Sequence, residues 1–426
     1  MDKSKGQLRD FVILWITQSL SQLGSAMTGF ALTLWLYEKT GSALSTAALT
    51  ICTYAPYVIM SILAGAVSDR LDKKKTMLVC DVLAAAGTLL VLMLYRSDML
   101  RTWHLYAVNA AAGLMNTVQQ PASEVAYTLI VPKEHYQKTS GLQSLARSAI
   151  SVGNPVIATA IYGFAGLEAV IAVDLATFLV AFLSLAFFIH IPQKETASGS
   201  EVSVLRLARE GLGFLRKNPL VLHVLLFMSG VNFVASAFDA ALPALVIPTH
   251  GNSTLGIVMS CSGIAMVVGS LIVTAMPRPK DRVRVIYLTM LFSLGTENFL
   301  LALSRNAAVW CVGQVIGWIL VPVMSANENV ILRNTIPVEL QGRVFACRNT
   351  LQFFTIPLGL AFGGFLVDDV CEPFMARQAE GSVFTVLFGT GKGSGASLVI
   401  FILGIAGIML CLVSGRNLRR YSYSED

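Results

Sequence analysis

A chain of 426 residues that is 55% hydrophobic and only 13% charged, with a mean hydropathy of +0.67, is not a set of soluble domains, which carry about 25% charged residues. The net charge of +6 invites a nucleic-acid reading, but the basic residues sit in short loops between apolar runs, which removes it. Seven scattered Cys and five dispersed His form no metal-ligand spacing, disulfide framework or nucleophile cluster, and no nucleotide-binding loop occurs, so an enzyme is not expected.

A charge-rich N-terminal stretch of ten residues leads into a span too long for a signal-peptide core, so this end is expected to stay uncleaved. Twelve apolar segments follow, at 11–37, 42–67, 76–95, 104–131, 140–164, 167–190, 220–248, 254–276, 284–303, 307–334, 343–367 and 395–414. Each has about the 20 residues that a bilayer-crossing helix needs. The expected fold is an all-α membrane protein of twelve transmembrane helices. With the N-terminus inside, inner segments collect 22 Lys and Arg and outer loops six, while Arg147, Arg333 and Arg348 lie within spans. That asymmetry places both termini in the cytoplasm.

Between the second and third spans stands Gly65-Ala-Val-Ser-Asp69-Arg70-Leu-Asp72-Lys73-Lys74-Lys75-Thr76. Dense charge pinned between two spans is a short loop at the water boundary. Gly65 lets its helix approach another closely. Asp69 needs a cation or a helix N-terminus nearby, and the Lys run can touch lipid phosphates. The stretch resembles the loop between helices two and three of the major facilitator superfamily, G-x-x-x-D-R-x-G-R-K/R. Gly65, Asp69, Arg70, Lys73 and Lys74 match, and Asp72 replaces the second Gly.

Residues 191–219 form the longest inner connection, and Glu201–Lys217 reads as an amphipathic helix on the inner membrane surface. It divides an N-terminal six-helix half (1–190) from a C-terminal one (220–414), with a tail at 415–426. The halves repeat weakly. Val131-Pro132-Lys133-Glu134 follows span four and Ile336-Pro337-Val338-Glu339 follows span ten, while Pro155 and Pro357 take similar places in spans five and eleven. Two such repeats are a transporter architecture. In the outer loop 368–394, Val383–Phe388 reads as a short interfacial helix ahead of the Gly-rich run Gly389–Gly395, serving as a lid or a tolerated insertion.

The resemblance extends along most of the chain. Glu38-Lys39-Thr40-Gly41-Ser42, Asp69-Arg70, Pro121-Ala122, Val131-Pro132 with Glu134, and Gly342-Arg343-Val344 are similar to the macrolide-efflux, multidrug-exporter group of the superfamily. It implies a bacterial inner-membrane monomer with no cofactor, exporting an amphipathic or lipophilic molecule by proton antiport and alternating access. Export of an endogenous siderophore or peptide is the alternative, and a non-transporting receptor or scaffold a remote one. Two positions depart from the drug antiporters. Asn109-Ala-Ala-Ala-Gly113 lacks the span-four Arg, and the span-five signature is reduced to Gly153-Asn154-Pro155.

Ionisable groups inside spans are candidates for function. Asp239 and Glu297 lie deep in spans seven and nine and are the proton-coupling candidates, Asp239 foremost. Gly65, Asp69, Arg70, Asp81, Glu124, Arg147, Glu328, Arg343 and Arg348 fall toward the cytoplasmic ends and form a candidate inner-gate network. There the resemblance pairs Asp69 with Arg348 or Arg343. Gln22, Tyr54, Asn116, Gln120, Asn232 and Trp318 are candidates for lining the cavity of a large, mostly apolar substrate.

Overall fold

The computed structural model describes residues 2–70, 72–131, 136–191, 204–277 and 279–418. The side chains at 2–7, 57, 61–70, 136–138, 140, 204–209, 338–339, 341–343 and 345–346 lie outside that description, and with them Gly65, Asp69, Arg70 and Arg343. Among the described residues there is no strand. The helices are α1 (Asp2–Thr40), α2 (Ala43–Arg70), α3 (Lys73–Arg96), α4 (Thr102–Ile130), α5 (Tyr136–Leu183), α6 (Val204–Lys217), α7 (Pro219–Ala275), α8 (Arg282–Leu303), α9 (Ala307–Ile319), α10 (Val321–Thr335), α11 (Val338–Phe353), α12 (Thr355–Phe365), α13 (Glu372–Ala376), α14 (Val383–Phe388) and α15 (Ser394–Leu418).

Eight segments are long and apolar enough to cross a membrane. Two of them, of 48 and 57 residues, have the length of two crossings each. They turn at Gly166 (φ 75°) and Gly251 (φ 78°), where only a residue without a Cβ takes the left-handed backbone at no steric cost. α1 and α4 are long enough but diluted by polar residues, Gln18 and Gln22 in one and Asn109, Asn116, Gln119, Gln120 and Glu124 in the other. α9 gives way to α10 at Leu320, and Pro322, which has no N–H to donate, lies in the first turn of α10. The amphipathic helix expected in the linker is α6, and the short helix expected in 368–394 is α14.

By packing, the chain forms two units. One comprises residues 1–36 and 52–202, the other 37–51 and 203–426. In the first unit, Phe11, Leu14, Met77, Ala122, Ala126 and Ile130 are buried together. α2 and α4 touch at backbone distance, since a Cβ on Gly113 would stand 2.2 Å from the Thr53 carbonyl oxygen. Lys74 does not spend its ammonium on the surface. It donates to the carbonyls of Ala186 (3.0 Å) and Ile189 (2.8 Å), where the π-helical turn Ser184–Phe188 leaves acceptors unpaired.

In the second unit, α12 lies on α7 through glycines. A Cβ on Gly363 would fall 2.3 Å from the Ala237 carbonyl oxygen and one on Gly359 2.4 Å from that of Phe233. After α12 the chain makes a π-helical turn, Leu366–Cys371, and enters α13. Glu372 accepts from the Gly393 N–H at 2.8 Å and from the amides of Gly395 and Ala396, which closes the N-terminus of α15. Arg305 lies nearby and donates to the Phe388 carbonyl. Burial pushes its guanidinium down and Glu372 opposes that. Hydrogen bonds to charged groups contribute about 1.5–3 kcal/mol. Glu372→Ala is therefore expected to lower the thermal midpoint of the protein in lipid nanodiscs by several degrees, while Glu372→Gln, which still accepts, lowers it less.

Candidate functional site

The second unit holds two acidic side chains where a membrane protein can least accommodate charge. Glu297 on α8 is 6% exposed. Its Oε1 accepts from the indole N–H of Trp318 on α9 at 3.1 Å. Its other oxygen fills the space a side chain on Gly317 would need, because a Cβ there would lie 2.1 Å from Oε2. Ser293, one turn before Glu297 on α8, donates to the Gly317 carbonyl and ties α8 to α9 beside it. Asp239 on α7 is close enough for its charge to act on Glu297, and it is the exposed member of the pair. Among the described residues Asp239 takes no hydrogen bond or ion pair. Trp318 thus faces a carboxyl group.

A charged carboxylate inside a spanning bundle is costly unless paired. A single indole donor offsets little of that cost, and among the described residues no cation stands against either acid.

Two other spanning acids accept from carboxamides. Asp81 on α3 accepts from Gln18 on α1 (3.3 Å) and Gln119 on α4 (2.5 Å). Glu328 on α10 accepts from Gln352 on α11 at 2.6 Å, with Arg348 near enough to act on its charge. Arg348 itself donates to Asn329 and Asn349, each at 3.3 Å. Arg147 is exposed and donates to Ser144 at 3.2 Å, and Glu124 is exposed. Of the candidate inner-gate residues, then, the structure brings Glu328 to Arg348 and surrounds Asp81 with carboxamides. Pairing of Asp69 with Arg343 or Arg348 lies outside the described residues.

Of the cavity candidates, Gln22, Tyr54, Asn116 and Gln120 are exposed on the first unit. Asn116 and Gln120, four apart on α4, share one face. An amide exposed on a spanning helix is poorly placed against lipid, because hydrocarbon offers it no hydrogen bond. Asn232 in the second unit is half-buried and donates to the Gln352 carbonyl at 3.1 Å. An open groove of about 810 Å³ between α8, α9 and α15 is lined by Phe292, Phe299, Leu300, Leu303 and Ile408. Its apolar walls suit lipid chains.

A sequence model of the Major Facilitator Superfamily matches residues 14–360. The chain belongs to that superfamily. It is a multi-pass membrane transporter and not an enzyme. This facilitator is 24% identical to "Macrolide efflux protein A" of Streptococcus pyogenes over 87% of its own length and 92% of the relative's. It is 24% identical to "Multidrug efflux pump Tap" of Mycolicibacterium fortuitum over 81% of its length and 86% of that protein's. Its fold matches the crystal structure of the nucleoside transporter NupG with a TM-score of 0.71 at 13% identity, over 97% of this chain and all of the other.

Two members of these clusters, Gln352 and Gly317, were not singled out from the sequence, and a third, Gln119, reads there only as a polar group lining the cavity. Gln352 and Gln119 hold the facilitator's buried acids, and Gly317 makes room for Glu297. No spacing signals such partners, since Gln352 is 24 positions from Glu328 on another helix. Their roles can be separated by a double-mutant cycle. Gln119→Leu leaves Asp81 short of a donor, which is expected to cost about 1–3 kcal/mol. Asp81→Asn should remove most of that penalty, and additive effects on the thermal midpoint would show that the two side chains do not interact.

Proposed function

We propose that this facilitator exports an amphipathic or lipophilic small molecule, macrolide- or drug-like, in exchange for protons. The observation that carries the reading is the Asp239–Glu297 pair, two neighbouring acids in the same half of a transporter with no cation against them among the described residues. Glu297 and Asp239 take up and release the coupling proton, and Trp318 orients the Glu297 carboxyl through its indole N–H. The exposed amides and phenol of Gln22, Tyr54, Asn116 and Gln120 supply the few hydrogen bonds that orient a mostly apolar ligand. The likeness to relatives named for macrolide and multidrug efflux supports the substrate class. The carrier works as a monomer in the bacterial plasma membrane with both termini in the cytoplasm, and the distribution of Lys and Arg supports that orientation.

Uptake of an erythromycin-like macrolide and of a lipophilic dye into inverted vesicles tests this. Accumulation with an inside-acid proton gradient, and its collapse on adding a protonophore, is the expected result. Gradient-independent behaviour with both compounds would remove the assignment, and uptake of neither would favour an endogenous siderophore or peptide.

A further inference from the structure

α1 leaves the first packing unit between Leu36 and Tyr37, and α2 rejoins it between Ile51 and Cys52. The helical tip between them, residues 37–51, packs within the second unit. What holds that tip is specific. Asp368, in the π-helical turn after α12, accepts from the Ser42 hydroxyl (2.6 Å) and from the backbone N–H groups of Ala43 (3.0 Å) and Leu44 (2.8 Å). These N–H groups are the unsatisfied donors that open a helix, at its positive end. One turn earlier, Gly364 leaves room for the tip, because a Cβ there would stand 2.6 Å from the Leu44 Cα. The apolar part of the contact is small, with Ala47 against Ala240 and Leu360. Ser42 caps α2 from its own turn by accepting from the Ser45 N–H at 2.9 Å, and a side chain 326 positions away in sequence satisfies the two N–H groups ahead of that one.

The arrangement differs from that of Glu372, four residues on. Glu372 caps α15, and the whole of α15 belongs to the same unit, so its contact has no part to release. The helix capped by Asp368 leaves the unit after nine residues. Charge-assisted hydrogen bonds without a broad apolar contact are strong while dry and are replaced by water once opened.

We propose that Asp368 is a gating residue of the transport cycle, a latch that holds residues 37–51 against the second unit in one state and lets them go in the other. The proposal rests on the transport reading only in that a carrier opens to each side of the membrane in turn. It does not depend on the substrate or on the coupling ion.

The test uses the full chain in lipid nanodiscs, where both faces meet solvent. Ala47, on the tip itself, is 3% exposed where the tip packs on Ala240 and Leu360. Ala47→Cys is introduced into the otherwise unchanged protein and into Asp368→Ala and Ser42→Ala, and alkylation by a charged maleimide is timed against the same proteins without Ala47→Cys. Asp368→Ala is expected to speed alkylation by about tenfold or more, because it removes several charge-assisted bonds. Ser42→Ala, which removes one bond to Asp368 and the local cap on the Ser45 N–H but leaves the two backbone bonds to Asp368, is expected to speed it a few-fold. Equal rates in all folded variants overturn the latch. Should Asp368→Ala fail to fold, the Ser42→Ala rate decides alone. No drug and no proton gradient is present, so failure of macrolide export leaves this result unchanged, and failure here leaves the export reading standing.

Discussion

Glu297→Gln brings gradient-driven uptake down to the level seen without a gradient, while macrolide binding to the purified protein persists. The amide keeps the size of the side chain and can still accept from Trp318, so the slot beside Gly317 remains filled. What it cannot do is gain and lose a proton. Asp239→Asn is expected to lower gradient-driven uptake by the same logic, since it removes the other acid of the pair. Trp318→Phe keeps the ring and deletes only the N–H, so a partial loss is expected. Binding measured beside uptake separates a lost proton step from a lost fold. Normal uptake in both acid variants would sink the pair as the proton carrier and leave Asp81, held by two carboxamides, and Glu328, held by one, as the acids to test.

Gly113→Val is expected to destabilise the first unit more than any polar substitution proposed above. The Cβ would lie 2.2 Å from the Thr53 carbonyl oxygen, 3.0 Å from its carbon and 3.1 Å from its Cα. All three are backbone atoms, which cannot swing aside as a side-chain tip can. α2 and α4 must separate, and the Thr53 hydroxyl then loses Asn109, to which it donates at 3.1 Å. Overpacking costs about 1–3 kcal/mol where side chains can shift, and rigid partners place this site at or beyond the upper end. Loss of folded protein on size-exclusion chromatography, with Gly113→Ala intermediate, is the expected series. Gly163→Ala is the control. Nothing lies within 4 Å of a Cβ at that position, and alanine is the better helix former. If Gly113→Val and Gly163→Ala behave alike, close packing of α2 on α4 is not what the glycine serves.

Gly113 also shows how far a pattern carries. The run Asn109–Gly113 lacks the arginine that many drug antiporters place there, and nothing in the run announces another use. In the structure Asn109 and Gly113 are the contact surface for α2. Asp239 and Glu297 were legible as acids in apolar spans, whereas their nearness, and the indole between α8 and α9 that meets Glu297, were not. Trp318 reads from sequence as a large aromatic in the nearly charge-free middle of its span, hence a cavity wall. Its actual partner lies 21 positions earlier on a neighbouring helix, beyond any helical repeat.

The sequence by itself determined the class of the protein, where its spans lie and which stretches are loops. These follow from the length of apolar runs and from clustered charge, both properties of neighbouring residues. Only the tertiary structure decided which partner each buried acid received: glutamines for Asp81, a glutamine for Glu328, a tryptophan for Glu297 and the opening of α2 for Asp368. Helical periodicity tells which residues share a face of one helix. It does not tell which face of another helix comes to meet it, because that depends on how closely backbones approach at residues such as Gly113, Gly317 and Gly364.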